Sequence, residues 1–208
     1  MDEVFGLFPV PVMRAPRALG DRLVGELVKH FSARASGDRS ASDELSHTEM
    51  LRPGDSPLFE EAANLITPKL DDMGALMFGQ RLGWAIKEMW VNVLDRGGMQ
   101  VMHTHANSFV SGIVYLTPCH PESQTVFVKA TGGNEFRFKN ENEGAVPGHF
   151  NAERWVSPSP TPGDLLLFPS YLMHAVPPNM GERRITMSFN AIPKSLDAWG
   201  YKITFGGA

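Results

Sequence analysis

From about residue 82 the apolar pattern of this chain changes period, and that change limits the fold more than any other feature. Before it, Leu19, Leu23, Val24, Leu27, Val28 and Phe31 recur at helical spacing across 16–34. Leu58, Phe59, Ala62, Leu65, Ile66, Leu70, Met73 and Met77 do the same across 57–78. These are the stripes of two amphipathic helices, the second expected to kink or break at Pro68. After the change the period is two. Segments 83–94, 99–104, 110–117, 124–130, 135–139, 165–169 and 183–192 are short, rich in β-branched and aromatic residues, and bounded by turn formers, so they read as strands. Residues 5–12 (FGLFPVPV) add a short edge strand, because proline is tolerated at a sheet edge. Residues 35–56 and 139–163 are polar connections; the second is long and proline-rich, as functional or disordered loops are. Helices first and strands afterwards predict an antiparallel sandwich or barrel with helices buttressing one side. The 208 residues suit one domain, with 1–80 as helical support, 81–195 as the β core and 196–208 as a tail.

Composition closes several other routes. With 42% hydrophobic and 20% charged residues the chain has enough apolar material for a core. A net charge of −4 gives no reason to expect nucleic acid or an anionic membrane as partner. Cys119 is the single cysteine, which excludes an intramolecular disulfide and favours a reducing compartment. The acidic start Met1-Asp2-Glu3 lacks the basic and apolar regions of a signal peptide, and no apolar run approaches the ~20 residues of a membrane span. The expectation is a soluble, cytoplasmic protein. The apolar helices are read either as a face for a homodimer or as packing for the sheet.

Of seven histidines, His30, His47, His120 and His149 fall on a helix end or in loops and read as solvated. His103, His105 and His174 each end or closely follow a predicted strand. Histidines two apart share a face on a strand but not on a helix, so His103 and His105 can point to one place, and His174 can join them. Neutral imidazole is a good ligand for Fe(II), Zn and related ions. The usual non-haem Fe(II) set is two histidines and a carboxylate. Here the second position is His105, and the nearest acids, Asp95 and Glu122, lie across turns, so a three-histidine site is the leading reading.

Ten residues past His174 comes Arg184, on a segment where Arg184, Thr186 and Ser188 share one strand face and Ile185, Met187 and Phe189 the other. An arginine fork suits a carboxylate, and a hydroxyl two residues on adds a further bond. Val101, Ile113, Phe168, Met187 and Phe189 are candidates for apolar pocket walls, though ordinary core is the simpler reading of each.

These residues together resemble a known family. His103-Thr104-His105-Ala106-Asn107-Ser108-Phe109-Val110-Ser111-Gly112-Ile113-Val114-Tyr115-Leu116 is similar to the signature of a bacterial and phage group of 2OG-Fe(II) oxygenases. So are Gly163-Asp164-Leu165-Leu166-Leu167-Phe168-Pro169-Ser170 with His174, Val176, Pro178 and Asn179, and the run Arg184-Ile185-Thr186-Met187-Ser188-Phe189-Asn190. The resemblance spans roughly residues 84–192. It implies a mainly β double-stranded β-helix, or jelly roll, with N-terminal helices packed on the major sheet. It implies Fe(II) as cofactor and 2-oxoglutarate as cosubstrate. His103 and His174 would be iron ligands, with His105 in the carboxylate position. Arg184 would hold the distal carboxylate of 2-oxoglutarate, helped by Thr186. Tyr115 matches a position where the prolyl-hydroxylase branch places a tyrosine on that carboxylate. Asn92, in alternation with Trp90, would face the pocket. If His105 does not ligate, the iron would be held by two histidines and waters, or by an acid not identified.

Two other classes fit the same residues. One is a three-histidine cupin-type dioxygenase that does not use 2-oxoglutarate. The other is a non-catalytic jelly-roll binding module, which would carry no stoichiometric iron. The substrate reads only as a small molecule or peptide met by loops 119–124 and 139–163, with Asn140, Glu141, Asn142, Glu143, His149, Asn151, Arg154 and Trp155 among their polar and aromatic groups.

Overall fold

The structure, a computed structural model, describes residues 2–32, 40–42, 45–129 and 142–205. The predicted strand 135–139, together with Asn140 and Glu141, lies outside them. In chain order the elements are β1 (Met13–Ala15), α1 (Asp21–Ser32), β2 (Ser40–Ser42), β3 (Leu45–His47), α2 (Pro57–Phe78), β4 (Trp84–Leu94), β5 (Gln100–His103), β6 (Val110–Tyr115) and β7 (Val126–Val128). They continue with β8 (Arg154–Val156), β9 (Leu165–Pro169), β10 (His174–Val176), β11 (Arg184–Pro193), β12 (Ser195–Ala198) and β13 (Tyr201–Thr204).

Two antiparallel sheets form the body. The major sheet runs β1-β9-β6-β11-β4-β3-β2 and the minor sheet β5-β10-β7-β8, with β12 and β13 as a separate hairpin. The helices cover only the outer face of the major sheet. Leu23, Leu27 and Phe31 of α1 and Phe59, Ile66, Leu70 and Met73 of α2 are buried against Met89, Val91, Val93, Leu165, Leu167, Ile185, Met187 and Phe189. The stripe read from the sequence is thus packed on the sheet. Burial of this apolar surface drives the layer together. Gly112 on β6 is required there, because a Cβ would overlap the Phe189 ring of the neighbouring strand.

α2 starts where Ser56 accepts the Phe59 N–H and stops at Gly79, which takes the left-handed conformation at φ 68°. The expected break at Pro68 is absent, and the helix runs unbroken through it. Pro68 lies on the exposed side, where water can reach the carbonyl that loses its helical N–H partner.

Other expectations change at the ends and in the loops. The edge strand is Met13–Ala15 and not 5–12, whose side chains are mostly exposed. The connection 139–163 contains β8, and segment 35–56 contains β2 and β3, so the first 80 residues add strands as well as helices. The tail forms the β12–β13 hairpin, and Phe205 beyond it packs on Phe109 at 5.6 Å.

β1 is fastened by a buried carboxylate. Asp164 accepts from Arg14 Nε at 3.1 Å and Nη2 at 2.6 Å, and from the backbone N–H of Arg17 at 2.9 Å and Thr161 at 3.0 Å. Burial alone would raise its pKa; these donors and the Arg14 charge outweigh burial and lower it. Gly163, at φ 90°, makes the turn before β9.

Candidate metal centre and anion pocket

The inner faces of the two sheets enclose the site. On the minor sheet, strand register lines up one row of rings. His103 on β5 stands opposite His174 on β10, His174 opposite Phe127 on β7, and Phe127 opposite Trp155 on β8. His105 lies just past the end of β5, not on the predicted strand, and its backbone N–H bonds the Ser170 carbonyl at 3.0 Å. Its ring nonetheless stands beside the other two, with centroids 5.0 Å from His103 and 5.1 Å from His174. One ring nitrogen each of His103, His105 and His174 lies within 4.8 Å of the others, and among the described residues no acid joins this cluster.

The electrostatics suit ligation. Burial, with the neighbouring imidazoles His174 and His103 and then Lys87, lowers His105 to a pKa of about 3. Burial also lowers His174 to about 4, against the Leu172 carbonyl, which favours the charged ring, and with His103 adding to the fall. Both rings are neutral at physiological pH, the form in which imidazole offers a lone pair to a metal.

On the major sheet, the period of β11 turns Arg184, Thr186 and Ser188 inward, as the alternation predicts. A second row crosses four strands: His47, Asn92, Thr186 and Tyr115 are successive register partners. Asn92 lines the cavity, but its amide is already engaged. It donates to Ser188 Oγ at 3.0 Å and accepts from Trp90 Nε1 at 3.2 Å. Tyr115 is buried with its hydroxyl 2.8 Å from Thr125 Oγ1, and its ring centroid lies 5.4 Å from the Arg184 guanidinium carbon.

Arg184 is the most telling group. It is 2% exposed, yet its Nε and Nη2 have no hydrogen-bond partner. Buried polar groups are nearly always paired, and an unpaired buried cation is costly. Its two free N–H groups form one edge of the fork that a carboxylate matches. A cavity of about 490 Å³, counting its open mouth, joins Arg184 and Thr186 to the three histidines. Leu94, Ile113, Phe168 and Val176 supply its apolar walls. Of the other wall candidates, Met187 and Phe189 belong to the core under the helices, and Val101 is 64% exposed.

Residues 88–190 match the model of the family described as "Putative 2OG-Fe(II) oxygenase". The chain belongs to that family. In fold, this oxygenase is similar to the crystal structure of HygX from Streptomyces hygroscopicus with nickel and 2-oxoglutarate bound, at 16% identity, TM-score 0.63, over 88% of this chain and 83% of HygX. It is similar to a Pseudomonas putida prolyl-4-hydroxylase at 16% identity, TM-score 0.60, over 87% of this chain and 92% of that one. It is also similar to the α-ketoglutarate-dependent epimerase SnoN from nogalamycin biosynthesis at 15% identity, TM-score 0.65, over 89% and 80% of the two chains. No curated protein matches the sequence significantly. The jelly-roll core with N-terminal helices is therefore the fold of this oxygenase.

Sequence reasoning passed over three residues of the site. His47, read as a loop residue, sits on β3 opposite Asn92; burial lowers its pKa, a hydrogen bond to Asn92 raises it and His103 lowers it. The three-residue strand is too short to show an alternation. Glu88 and Asn190 stand opposite each other on β4 and β11; Asn190 Nδ2 donates to Glu88 Oε1 at 2.8 Å and lies 3.5 Å from His105 Nδ1. Asn190 closes the quoted Arg-to-Asn run, and its inward position follows from the period that places Arg184.

Proposed function

We propose that this chain is an Fe(II)- and 2-oxoglutarate-dependent oxygenase whose metal sits at the His103–His105–His174 cluster. The observation that carries the reading is Arg184, buried with two unpaired N–H groups in the same cavity as three converging imidazoles. The donor set fits a borderline divalent metal, and the orphaned fork fits the far carboxylate of a short dicarboxylate. Bound together, iron and 2-oxoglutarate supply O₂ activation, with loss of CO₂ from the keto acid and delivery of one oxygen atom to a substrate C–H bond.

The chain's own residues prepare the site. Burial keeps His174 unprotonated, so its ligation needs no proton release, and it keeps the neighbouring His105 ring neutral as well. Arg184 neutralises the far carboxylate, with Thr186 beside it, and Tyr115 supports the guanidinium from beneath through its ring. Asn92 holds Trp90 and Ser188 in place and is a polar contact on the cavity wall. Ile113, Phe168, Leu94 and Val176 exclude water from the space between metal and fork.

The proposed substrate is a small molecule or a peptide, met by the loops around 119–124 and 142–163. No helix among the described residues is long and apolar enough to cross a membrane. With Cys119 as a lone thiol, a cytoplasmic enzyme is the reading we adopt.

The test is a titration of 2-oxoglutarate into anaerobic, Fe(II)-loaded protein. A weak visible charge-transfer band should appear, and it should be lost in His174→Ala and Arg184→Ala. Iron retained without any band would eliminate 2-oxoglutarate and leave a three-histidine dioxygenase acting on its substrate directly.

A further inference from the structure

The three imidazoles meet at one point, but their far nitrogens are treated differently. His103 donates Nδ1–H to the Val101 carbonyl at 2.7 Å, and His174 donates Nδ1–H to the Leu172 carbonyl at 2.9 Å. A neutral imidazole has one N–H, so both present a bare Nε2 to the centre. Among the described residues no carbonyl bonds His105 Nδ1. The atom facing it, at 3.5 Å, is Asn190 Nδ2. That amide cannot turn its oxygen there. Nδ2 also donates to Glu88 Oε1 at 2.8 Å, and Oδ1 accepts from Ser111 Oγ at 2.7 Å. Glu88, with Lys87 Nζ 3.2 Å away, is a carboxylate that only accepts. A donor therefore faces His105 Nδ1, which leaves the ring's proton on Nε2.

The other end of the ring requires the same tautomer. His105 Nε2 and His174 Nε2 are 3.2 Å apart. The His174 proton is committed to Leu172, so His105 supplies the one between them. Two ligands of a single metal can also stand 3.2 Å apart, and the Nδ1 side separates the two cases. A ligating His105 would have to aim Nδ1–H at the amide hydrogens of Asn190, whereas a ligating histidine ordinarily gives that proton to an acceptor.

We infer that His103 and His174 are the protein ligands of the metal, and that His105 is a hydrogen-bond donor pointed at the position beside them. This rests on the metal site proposed above. The third position is then open to a small exchangeable acceptor, water or a monoanion, which takes the His105 Nε2–H. Glu88 and Asn190 are positioning residues: they touch no metal but fix which nitrogen of His105 carries the proton.

Co(II) is the probe, titrated into the full chain and followed by absorption and by paramagnetically shifted proton signals. The Co(II)-loaded protein should show two strongly shifted, exchangeable imidazole N–H signals, from His103 and His174. His103→Ala and His174→Ala should each weaken Co(II) binding about 100-fold or more, and His105→Ala less than about tenfold. Glu88→Gln can donate to Asn190, which frees the amide to turn its oxygen to His105 Nδ1. A third N–H signal and about tenfold tighter Co(II) binding should follow. Three signals in the unaltered protein, or equal losses in the three alanine variants, would overturn the inference and leave the metal site standing. Failure of the unaltered protein to bind Co(II) at all would remove the metal site itself and this inference with it.

Discussion

On β11, Ile185, Met187 and Phe189 face the helices, while Arg184, Thr186 and Ser188 face the minor sheet. The outer face is apolar and close-packed, and its burial stabilises the fold. The inner face keeps polar groups buried, and at Arg184 it leaves two donors unpaired. A single backbone register serves both, because slipping the strand by one residue would send the arginine under the helices and the phenylalanine into the cavity. The contrast separates stability from binding by alternate side chains of one strand, and each side can be attacked alone.

The largest effect should come from the outer face. Phe189→Ala should cost about 3–5 kcal/mol in denaturant unfolding, because it opens a cavity beneath α2. The fraction that remains folded should bind 2-oxoglutarate with unchanged affinity. On the inner face, Arg184→Met should reduce 2-oxoglutarate affinity at least about 100-fold, close to 3 kcal/mol, with Tm unchanged or raised, since it removes a buried unpaired cation. A fall in its Tm comparable to that of Phe189→Ala would erase the contrast.

Acid should strain the inner face next. The unfolded chain protonates His105 and His174 near the ordinary value of 6.5, whereas the fold holds them at about 3 and about 4. The unfolded state therefore binds more protons below that ordinary value, and the metal-free protein should lose stability as pH falls from about 6.5 towards 4, by about 1 kcal/mol per pH unit for each histidine. Unfolding curves at pH 7, 6 and 5 measure this slope, and His174→Gln should roughly halve it. The smallest change should follow Ser188→Ala, which removes the acceptor for Asn92 and should cost about 1 kcal/mol with a few-fold change in 2-oxoglutarate affinity.

The sequence shows most clearly what repeats. The period of two places Arg184, Thr186 and Ser188 on one face because β11 is ten residues long, and the 3.6 period finds α2 to the residue. Where elements are three residues long, there is no period to read. β3 with His47, β8 with Trp155 and β1 at the edge were missed or displaced for that reason. The proline-rich 5–12 run looked more like an edge than MRA at 13–15, which is a strand only because β9 accepts it and Asp164 fastens Arg14. Spacing brought the three histidines together. The tautomer of His105 depends on Glu88 and Asn190, 102 residues apart, and no local pattern carries that.

The Asp164 clasp joins Arg14 to a carboxylate 150 residues later in the chain. A ribosome releases β1 and both helices well before β9 exists to receive them. At about 5–20 residues per second, the apolar stripe of α1 and α2 waits on the order of ten to thirty seconds for most of its sheet. The nascent protein thus carries an uncovered greasy flank through most of its synthesis, and closing the edge at Asp164 is among the last steps that folding can take.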